Sequence, residues 1–274
     1  MSALRFGLLI IGDEILSGKR ADQHLAKVIA LLGTRGLSLS WAHYLPDDRA
    51  QITTTLQRTF ASGDVVFSCG GIGSTPDDHT RQAAAAAIGV PVQLHPQARE
   101  LIARRCAEMA AEGRGSADMS TPENRQRLKM GEFPQGARII ENPFNRIPGF
   151  ALQRHYFLPG FPVMAWPMLE SVLDSEYGAH FNAVPIAERA CLVFDTPESA
   201  VAPLMEAVEA RFPRVKSFSL PSIGDGRDGK PARRHIELGV KGDPDQVDAA
   251  FDSLRGAVVA LGAEVELLAN VARE

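Results

Sequence analysis

The chain has 274 residues, of which 45% are hydrophobic and 23% are charged, as in an ordinary globular protein with a buried core. Lys and Arg total 29 against 33 Asp and Glu, and the resulting net charge of -4 argues against nucleic acid and anionic membranes as partners. The three cysteines are widely spaced and fit neither a disulfide framework nor a zinc site, so we expect a cytoplasmic protein.

Apolar strands alternate with amphipathic helices along the first part of the chain. Residues 4–11 form a nearly continuous apolar run, which predicts a strand buried on both faces and is too short for a membrane helix. Further strands are predicted at 37–43 and 64–69, and helices at 25–32, 52–60 and 78–88. The alternation predicts a doubly wound α/β layer with a parallel sheet and right-handed crossovers.

The chain becomes irregular after a further predicted helix at residues 101–111. From Phe133 onward it is rich in Pro, Gly and Asn, which predicts a loop at a sheet edge before a short strand at 156–158. A helix containing Trp166 follows this strand.

The composition changes near residues 182–187, which suggests two domains, 1–180 and 181–274. Beyond the boundary the predicted elements follow the order βαββαβ. This order is typical of a small α+β ferredoxin-like sandwich.

Polar and glycine-rich segments follow three of the predicted strands. Because the carboxyl ends of parallel strands meet at one sheet edge, we expect these segments to line a common crevice. Glycines allow backbone N–H groups to converge on a phosphate, and hydroxyl groups add donors. The predicted ligand-binding residues are Gly12, Asp13, Glu14, Gly70, Gly71, Gly73, Ser74 and Thr75.

Acidic residues at the same edge suggest a divalent metal. Asp77 and Asp78 would repel a bare phosphate, and a cation such as Mg²⁺ between the carboxylates and the phosphate oxygens would resolve this conflict. Asp47 follows the second strand and could ligate that metal or orient an attacking group. The alternatives are that Asp78 only caps a helix, that the glycines only form a tight turn, that Asp13 and Glu14 are simply solvated, and that Asp47-Asp48 starts the next helix.

Taken together, these segments resemble the molybdenum-cofactor-binding (MogA/MoaB-like) domain, in particular the N-terminal portion of the competence/damage-inducible protein A family. The matching segments are 12–18, Asp22, 45–47, 69–80, 134–137, Asn142, 148–150 and 158–162. The resemblance implies a three-layer α/β/α fold, frequent homo-oligomers, and Asp47 and Asp78 as catalytic or metal-handling acids. We expect the amidohydrolase domain that often closes those proteins to be absent.

Three positions depart from the family pattern. Ser74 replaces a usual proline, Asn145-Arg146-Ile147 replaces a small glycine-containing stretch, and Met164 stands where many relatives have a glutamate. The loss of that acid argues against pyrophosphatase activity.

The resemblance implies a phosphate-bearing nucleotide or a molybdopterin-type pterin as the ligand. The first hypothesis is a hydrolase of nucleotide diphosphates such as ADP-ribose, dependent on Mg, Mn or Co. The alternatives are a molybdopterin adenylyltransferase and a binding module without turnover. We expect no tightly bound organic cofactor, no nucleic acid and no membrane among the partners.

Overall fold

A computed structural model describes residues 4–183, 185–224 and 233–268. The chain divides into two compact units, Met1–Phe181 and Asn182–Glu274. The division lies one residue beyond the boundary expected from the sequence. Cys69, Cys106 and Cys191 are free and buried. Within the three described segments, no helix is both long enough and apolar enough to cross a membrane.

Up to residue 88 the N-terminal unit alternates strands and helices in the predicted order. Its strands are β1 (Phe6–Ile11), β2 (Leu39–Leu45), β3 (Val65–Cys69), β4 (Val92–Leu94), β5 (Glu132–Pro134), β6 (Arg138–Ile140), β7 (Gly149–Leu152) and β8 (His155–Leu158). Its helices are α1 (Asp13–Leu16), α2 (His24–Gly33), α3 (Arg49–Ser62), α4 (Thr80–Ile88), α5 (Pro96–Ala111), α6 (Pro122–Leu128) and α7 (Pro162–Glu176).

The main sheet has the strand order β2-β1-β3-β8-β7-β6. The strands β2, β1, β3 and β8 are parallel, whereas β7 and β6 run antiparallel to their neighbours. The mostly parallel sheet is therefore confirmed. The region after Phe133 was expected to be an irregular loop, but it contains β5, β6 and β7. These strands have three or four residues each, too few for a recognisable alternation of apolar side chains.

Side chains of β1 pack into two separate cores. Phe6, Leu8 and Ile10 join residues of α2 and α7 on one face of the sheet, whereas Leu9 and Ile11 join residues of α3, α4 and α5 on the other. This division follows from the twofold repeat of a strand, in which successive side chains point to opposite faces. Both faces are covered by helices, which confirms the three-layer α/β/α fold.

Two helix starts differ from those predicted. Helix α5 begins at Pro96 rather than at Leu101. Proline is favoured at the first helical position, and the polar first turn that follows it hides this start from a search for apolar periodicity. Helix α4 begins at Thr80 rather than at Asp78, and its N-cap is His79, whose side chain makes no capping hydrogen bond. The interpretation of Asp78 as the N-cap of this helix is wrong.

The C-terminal unit contains a four-stranded antiparallel sheet and two helices in its described part. The elements are β9 (Ala187–Phe194), α8 (Glu198–Arg211), β10 (Val215–Ser222), β11 (His235–Gly242), α9 (Pro244–Ala260) and β12 (Val265–Leu267). The sheet order is β10-β11-β9-β12, with all three pairings antiparallel. Together with the βαββαβ sequence order, this arrangement confirms a ferredoxin-like unit.

Candidate functional site

The loops that follow the four parallel strands meet at one edge of the sheet. Ile10 of β1 lies beside Tyr44 of β2 and Cys69 of β3, so the strands end at the same level. The Gly12 N–H donates to the Leu45 carbonyl at 3.1 Å, and the Gly70 N–H donates to the Leu158 carbonyl at 3.0 Å. The sequence-predicted segments after β1, β2 and β3 are thus neighbours, and a loop after β8 joins them.

The helices that follow these strands pack on opposite faces of the sheet. Helices α2 and α7, which follow β1 and β8, pack on one face, whereas α3 and α4, which follow β2 and β3, pack on the other. Loops that diverge in this way leave a crevice outside the carboxyl ends of the strands, where open α/β sheets bind their ligands. The central strand β3 lies between β1 and β8, so its glycine loop borders the crevice on two sides.

Close packing explains the first two glycines of the loop after β3. Gly70 and Gly71 have φ angles of +109° and +69°. A Cβ on Gly70 would lie 2.1 Å from the Ile11 carbonyl oxygen, and a Cβ on Gly71 would lie 2.1 Å from the Thr80 hydroxyl oxygen. Only glycine satisfies both the backbone angle and the available space at these positions.

The Asp78 carboxylate holds the second half of the glycine loop. One oxygen accepts a hydrogen bond from the Gly73 N–H at 2.7 Å, and the other accepts from the Thr75 N–H and hydroxyl at 2.8 and 2.6 Å. Gly73 has no room for a Cβ, which would lie 2.6 Å from this carboxylate. Both oxygens of Asp78 are therefore engaged by donors of its own loop.

The start of helix α4 fixes the first half of the loop. The Thr80 hydroxyl donates to the Gly70 carbonyl, and the Thr80 N–H donates to the Gly71 carbonyl. The Arg81 side chain, which is 3% exposed, donates to the Ile72 carbonyl at 3.1 Å. Desolvation lowers the pKa of this guanidinium group, and the charges of Asp78 and Glu132 oppose that shift.

Carboxylates from the loops after β1, β2 and β3 lie close together at the crevice. The Asp13 N–H donates to Asp47 at 2.9 Å, and the Asp47 N–H donates to Asp13 at 3.3 Å, so each residue binds the other's backbone. The Glu14 carboxylate lies against Gly12, where an added Cβ would come within 2.8 Å of Oε2. Asp77 is close enough for its charge to act on Asp47.

Burial and this negative charge both act on the pKa of the Asp47 carboxyl. Desolvation by burial raises the pKa of the Asp47 carboxyl, and the charges of Asp13, Glu14 and Asp77 raise it further against a hydrogen bond from the Asp13 backbone. Among the residues that the structure describes, no three His, Cys, Asp or Glu side chains are grouped so that they could hold a metal ion. The chain by itself therefore does not fit a preformed metal centre.

A second network at this edge was not predicted as part of the site. The Asp22 carboxylate accepts hydrogen bonds from the His24 and Leu25 N–H groups at the start of α2, and from the Tyr44 hydroxyl at 2.9 Å. Burial and Asp22 raise the pKa of Tyr44 to about 12. The buried His24 ring lies 3.0 Å from the Gly160 carbonyl oxygen. The segment 22–24 thus connects the ends of β2 and β8, which no local sequence pattern indicates.

The three departures from the family pattern lie in or near these loops. The Ser74 carbonyl accepts a hydrogen bond from Gln126 of α6. Arg146 has a φ angle of +63°, where glycine is favoured, and its guanidinium pairs with Glu108 at 2.6 Å. The Asn145 side-chain amide donates a hydrogen bond to the Met164 sulfur at 3.5 Å. A thioether at this position supplies no carboxylate to the crevice.

Comparison with known proteins assigns the chain to a family. The sequence model of a family described as "Probable molybdopterin binding domain" matches residues 7–177. A CinA-like protein of Anaeromyxobacter sp. (strain Fw109-5) is 31% identical over 87% of this chain and 59% of its own length. Another, from Anaeromyxobacter dehalogenans (strain 2CP-C), is 31% identical over 97% of this chain and 70% of its own length.

A solved structure shows the same relationship. The protein CinA with unknown function from Thermoplasma acidophilum is 27% identical, with a TM-score of 0.53 over 62% of this chain and 98% of that one. The chain spans 51% to 66% of the length of the first three curated relatives it matches. Because the family match covers more than half of the chain and includes the whole glycine loop, the chain belongs to the probable molybdopterin-binding domain family, as a MogA/MoaB-like member of the CinA type.

Proposed function

We propose that the N-terminal unit binds a phosphate-bearing pterin or nucleotide, with the phosphate on the loop Gly70–Thr75. One observation carries this proposal. Within the described part of the chain, the N–H groups of Gly71, Ile72 and Ser74 meet no acceptor, although Asp78, Thr80 and Arg81 hold the loop from behind. Successive free N–H groups in a glycine turn are suited to an anion.

The family description supports a pterin as one form of this ligand. A nucleotide offers the same chemistry, since both carry a planar heterocycle on a phosphate ester. The crevice position supports either form, because ligands of open α/β sheets bind where adjacent loops diverge to opposite faces.

Negative charge around the crevice supports a cation that arrives with the ligand. Asp13, Glu14, Asp47 and Asp77 would repel a phosphate placed between them and the glycine loop. Mg²⁺ commonly combines one or two carboxylates with substrate phosphates and water, so it does not need a complete protein site. The geometry favours Asp47 and Asp77 over Asp78 for this contact, because three donors of the glycine loop already engage the two oxygens of Asp78.

Calorimetric titration tests the binding proposal. AMP, ADP-ribose and neopterin monophosphate are titrated in the presence of Mg²⁺, with adenosine as the ligand that lacks a phosphate. We expect phosphate-dependent binding that pyrophosphate competes away and that Asp78→Asn weakens. The matched control is Asp252→Asn on α9 of the C-terminal unit, which removes the same charge. Binding of adenosine as tight as that of AMP would contradict a phosphate site.

The Asp47 carboxyl favours hydrolysis of a diphosphate as a second candidate function. It is partly buried, faces the crevice loops of β1 and β3, and has a raised pKa. In this reaction a water molecule oriented by Asp47 attacks one phosphorus atom of ADP-ribose. The bridging P–O bond breaks, AMP and ribose 5-phosphate leave, and the proton of the water passes to Asp47 or to solvent.

Product analysis separates hydrolysis from the other activities. The protein is incubated with ADP-ribose and Mg²⁺, Mn²⁺ or Co²⁺, and AMP release is compared between the wild type, Asp47→Asn and Asp252→Asn. Hydrolysis predicts AMP from the wild type and Asp252→Asn only. Ligand binding without AMP release would favour a binding module, and ATP-dependent transfer of AMP to a pterin phosphate would favour an adenylyltransferase.

A further inference from the structure

Phe161 is an exposed aromatic side chain at the edge of the crevice. Its exposed fraction is 54%, and it belongs to neither of the two described cores of the N-terminal unit. About half of the side chain is therefore open to water, which leaves part of the ring available to a ligand.

Local hydrogen bonds fix the backbone of Phe161. Its carbonyl accepts from the N–H groups of Met164 and Ala165 in the first turn of α7. Pro162 follows it directly and restricts its backbone to extended angles, as observed at φ -89° and ψ 120°. The ring is therefore presented from a rigid position, although the side chain itself is exposed.

The preceding residue places Phe161 beside the glycine loop. A Cβ added to Gly160 would lie 3.5 Å from the Gly70 Cα atom, so these two backbones are in van der Waals contact. The buried His24 ring also lies 3.0 Å from the Gly160 carbonyl oxygen. Phe161 and Gly71 each lie one residue from the contact between Gly160 and Gly70, so the backbone that carries the ring runs beside the glycine loop.

A positive charge accompanies the ring. The Arg20 guanidinium carbon lies 5.8 Å from the Phe161 ring centroid, within the range of a cation–π contact. The Arg20 N–H donates to the Glu14 carbonyl at 2.9 Å, so the same segment connects this arginine to the acidic side of the crevice. An aromatic face flanked by a guanidinium is a common partner of flat heterocycles, because both groups stack on π systems.

We propose that Phe161, flanked by Arg20, is a stacking platform for the planar heterocycle of the ligand whose phosphate binds the glycine loop. This inference rests on the proposed phosphate site and adds to it the residue that distinguishes a phosphate ester of a purine or a pterin from a sugar phosphate or pyrophosphate alone. Phe161 would recognise the flat ring system that purines and pterins share.

Pairs of ligands with and without the heterocycle test this assignment. AMP and neopterin monophosphate are compared with ribose 5-phosphate by calorimetry on the full chain. Stacking of one base on an aromatic side chain corresponds to a change in affinity of about tenfold, within a range of about five- to a hundredfold. We therefore expect the wild type to bind at least one of the two heterocyclic esters about tenfold more tightly than ribose 5-phosphate.

Three variants make the test specific. Phe161→Ala should abolish the tenfold preference while leaving the affinity for ribose 5-phosphate unchanged, and Phe161→Trp should retain the preference. Val163→Ala is the matched control, because Val163 is also 54% exposed and lies two residues further along, in the first turn of α7. A general loss of structure would reduce the affinity for all ligands together and would leave their ratio unchanged.

The outcomes separate this inference from the proposed function. Equal affinity of the wild type for ribose 5-phosphate and both heterocyclic esters, or a preference that survives in Phe161→Ala, overturns the stacking platform but leaves the phosphate site intact. Failure of all phosphate esters to bind overturns the phosphate site and the platform together.

Discussion

Asp78→Asn distinguishes a residue that holds the glycine loop from one that acts on the ligand. The two side chains have the same shape, but the amide has only one acceptor oxygen. If that oxygen keeps the two donors of Thr75, the amide NH₂ group faces the Gly73 N–H, and two donors then oppose each other. The substitution therefore removes at least one hydrogen bond to a charged acceptor.

The expected cost follows from that lost bond. A hydrogen bond to a charged group contributes about 1.5–3 kcal/mol, and we take about 2 kcal/mol because solvent reaches part of this loop. For a unit of this size each kcal/mol lowers the melting temperature by about 2–4 °C, so we expect a decrease of about 4–8 °C. The transition of the N-terminal unit is followed by scanning calorimetry at pH 7.

Asp77→Asn is the matched control for this measurement. Asp77 is the preceding residue, it is exposed, and its removal changes the net charge by the same amount. We expect this variant to melt with the wild type. If Asp78→Asn also melts with the wild type while ligand binding or AMP release is lost, Asp78 acts on the ligand or its metal, and the loop-holding role is refuted.

Three further predictions concern stability and metal dependence. Gly71→Ala should destabilise the N-terminal unit by about 1–3 kcal/mol more than Gly63→Ala. Both glycines have left-handed φ angles, of +69° and +74°, but only Gly71 lacks space for a Cβ; equal melting temperatures would contradict this packing argument. Burial lowers the pKa of His155 to about 3, so the folded state keeps this ring neutral while the unfolded chain binds a proton below its usual pKa of 6.5. Stability should therefore decrease as the pH falls from 6.5 toward 3, by about 2 kcal/mol at pH 5, and urea unfolding of His155→Gln should show a pH dependence smaller by that amount. An unchanged slope would exclude His155 as the source. Mg²⁺ alone should leave the melting temperature unchanged, whereas Mg²⁺ with ADP-ribose should raise it above the value with ADP-ribose alone; tight binding of Mg²⁺ to the free protein would contradict a metal contact that depends on the ligand.

The sequence alone was sufficient for the architecture of the strong elements. The continuous apolar run at β1 and the 3.6-residue repeat of α2 identified a buried strand and a covering helix, because burial on both faces leaves a simple pattern in the residues. The order βαββαβ likewise identified the second unit. The short strands β5 and β6 lie in a segment rich in Pro, Gly and Asn and were missed, whereas β8 and β12, which are similarly short, were predicted.

The candidate site was predictable to the level of its segments. Glycine-rich and acidic segments after β1, β2 and β3 had to share one sheet edge, because parallel strands place their carboxyl ends together. The partners of each side chain were not predictable in the same way. Whether Asp78 would cap a helix, bind a metal or hold a loop depends on which donors lie within about 3 Å of its oxygens, and that distance is set by how the loop folds back on itself.

Tertiary structure also decided which residues border the site in addition to the predicted ligand-binding residues. Asp22 and Tyr44 are 22 residues apart, and His24 and Gly160 are 136 residues apart, yet each pair is in hydrogen-bond contact. Local sequence determines which segments become strands, helices and tight turns, because those depend on neighbouring residues. Contacts between the ends of separate strands depend on strand order and crossover direction, and these are settled only when the two cores pack against the sheet.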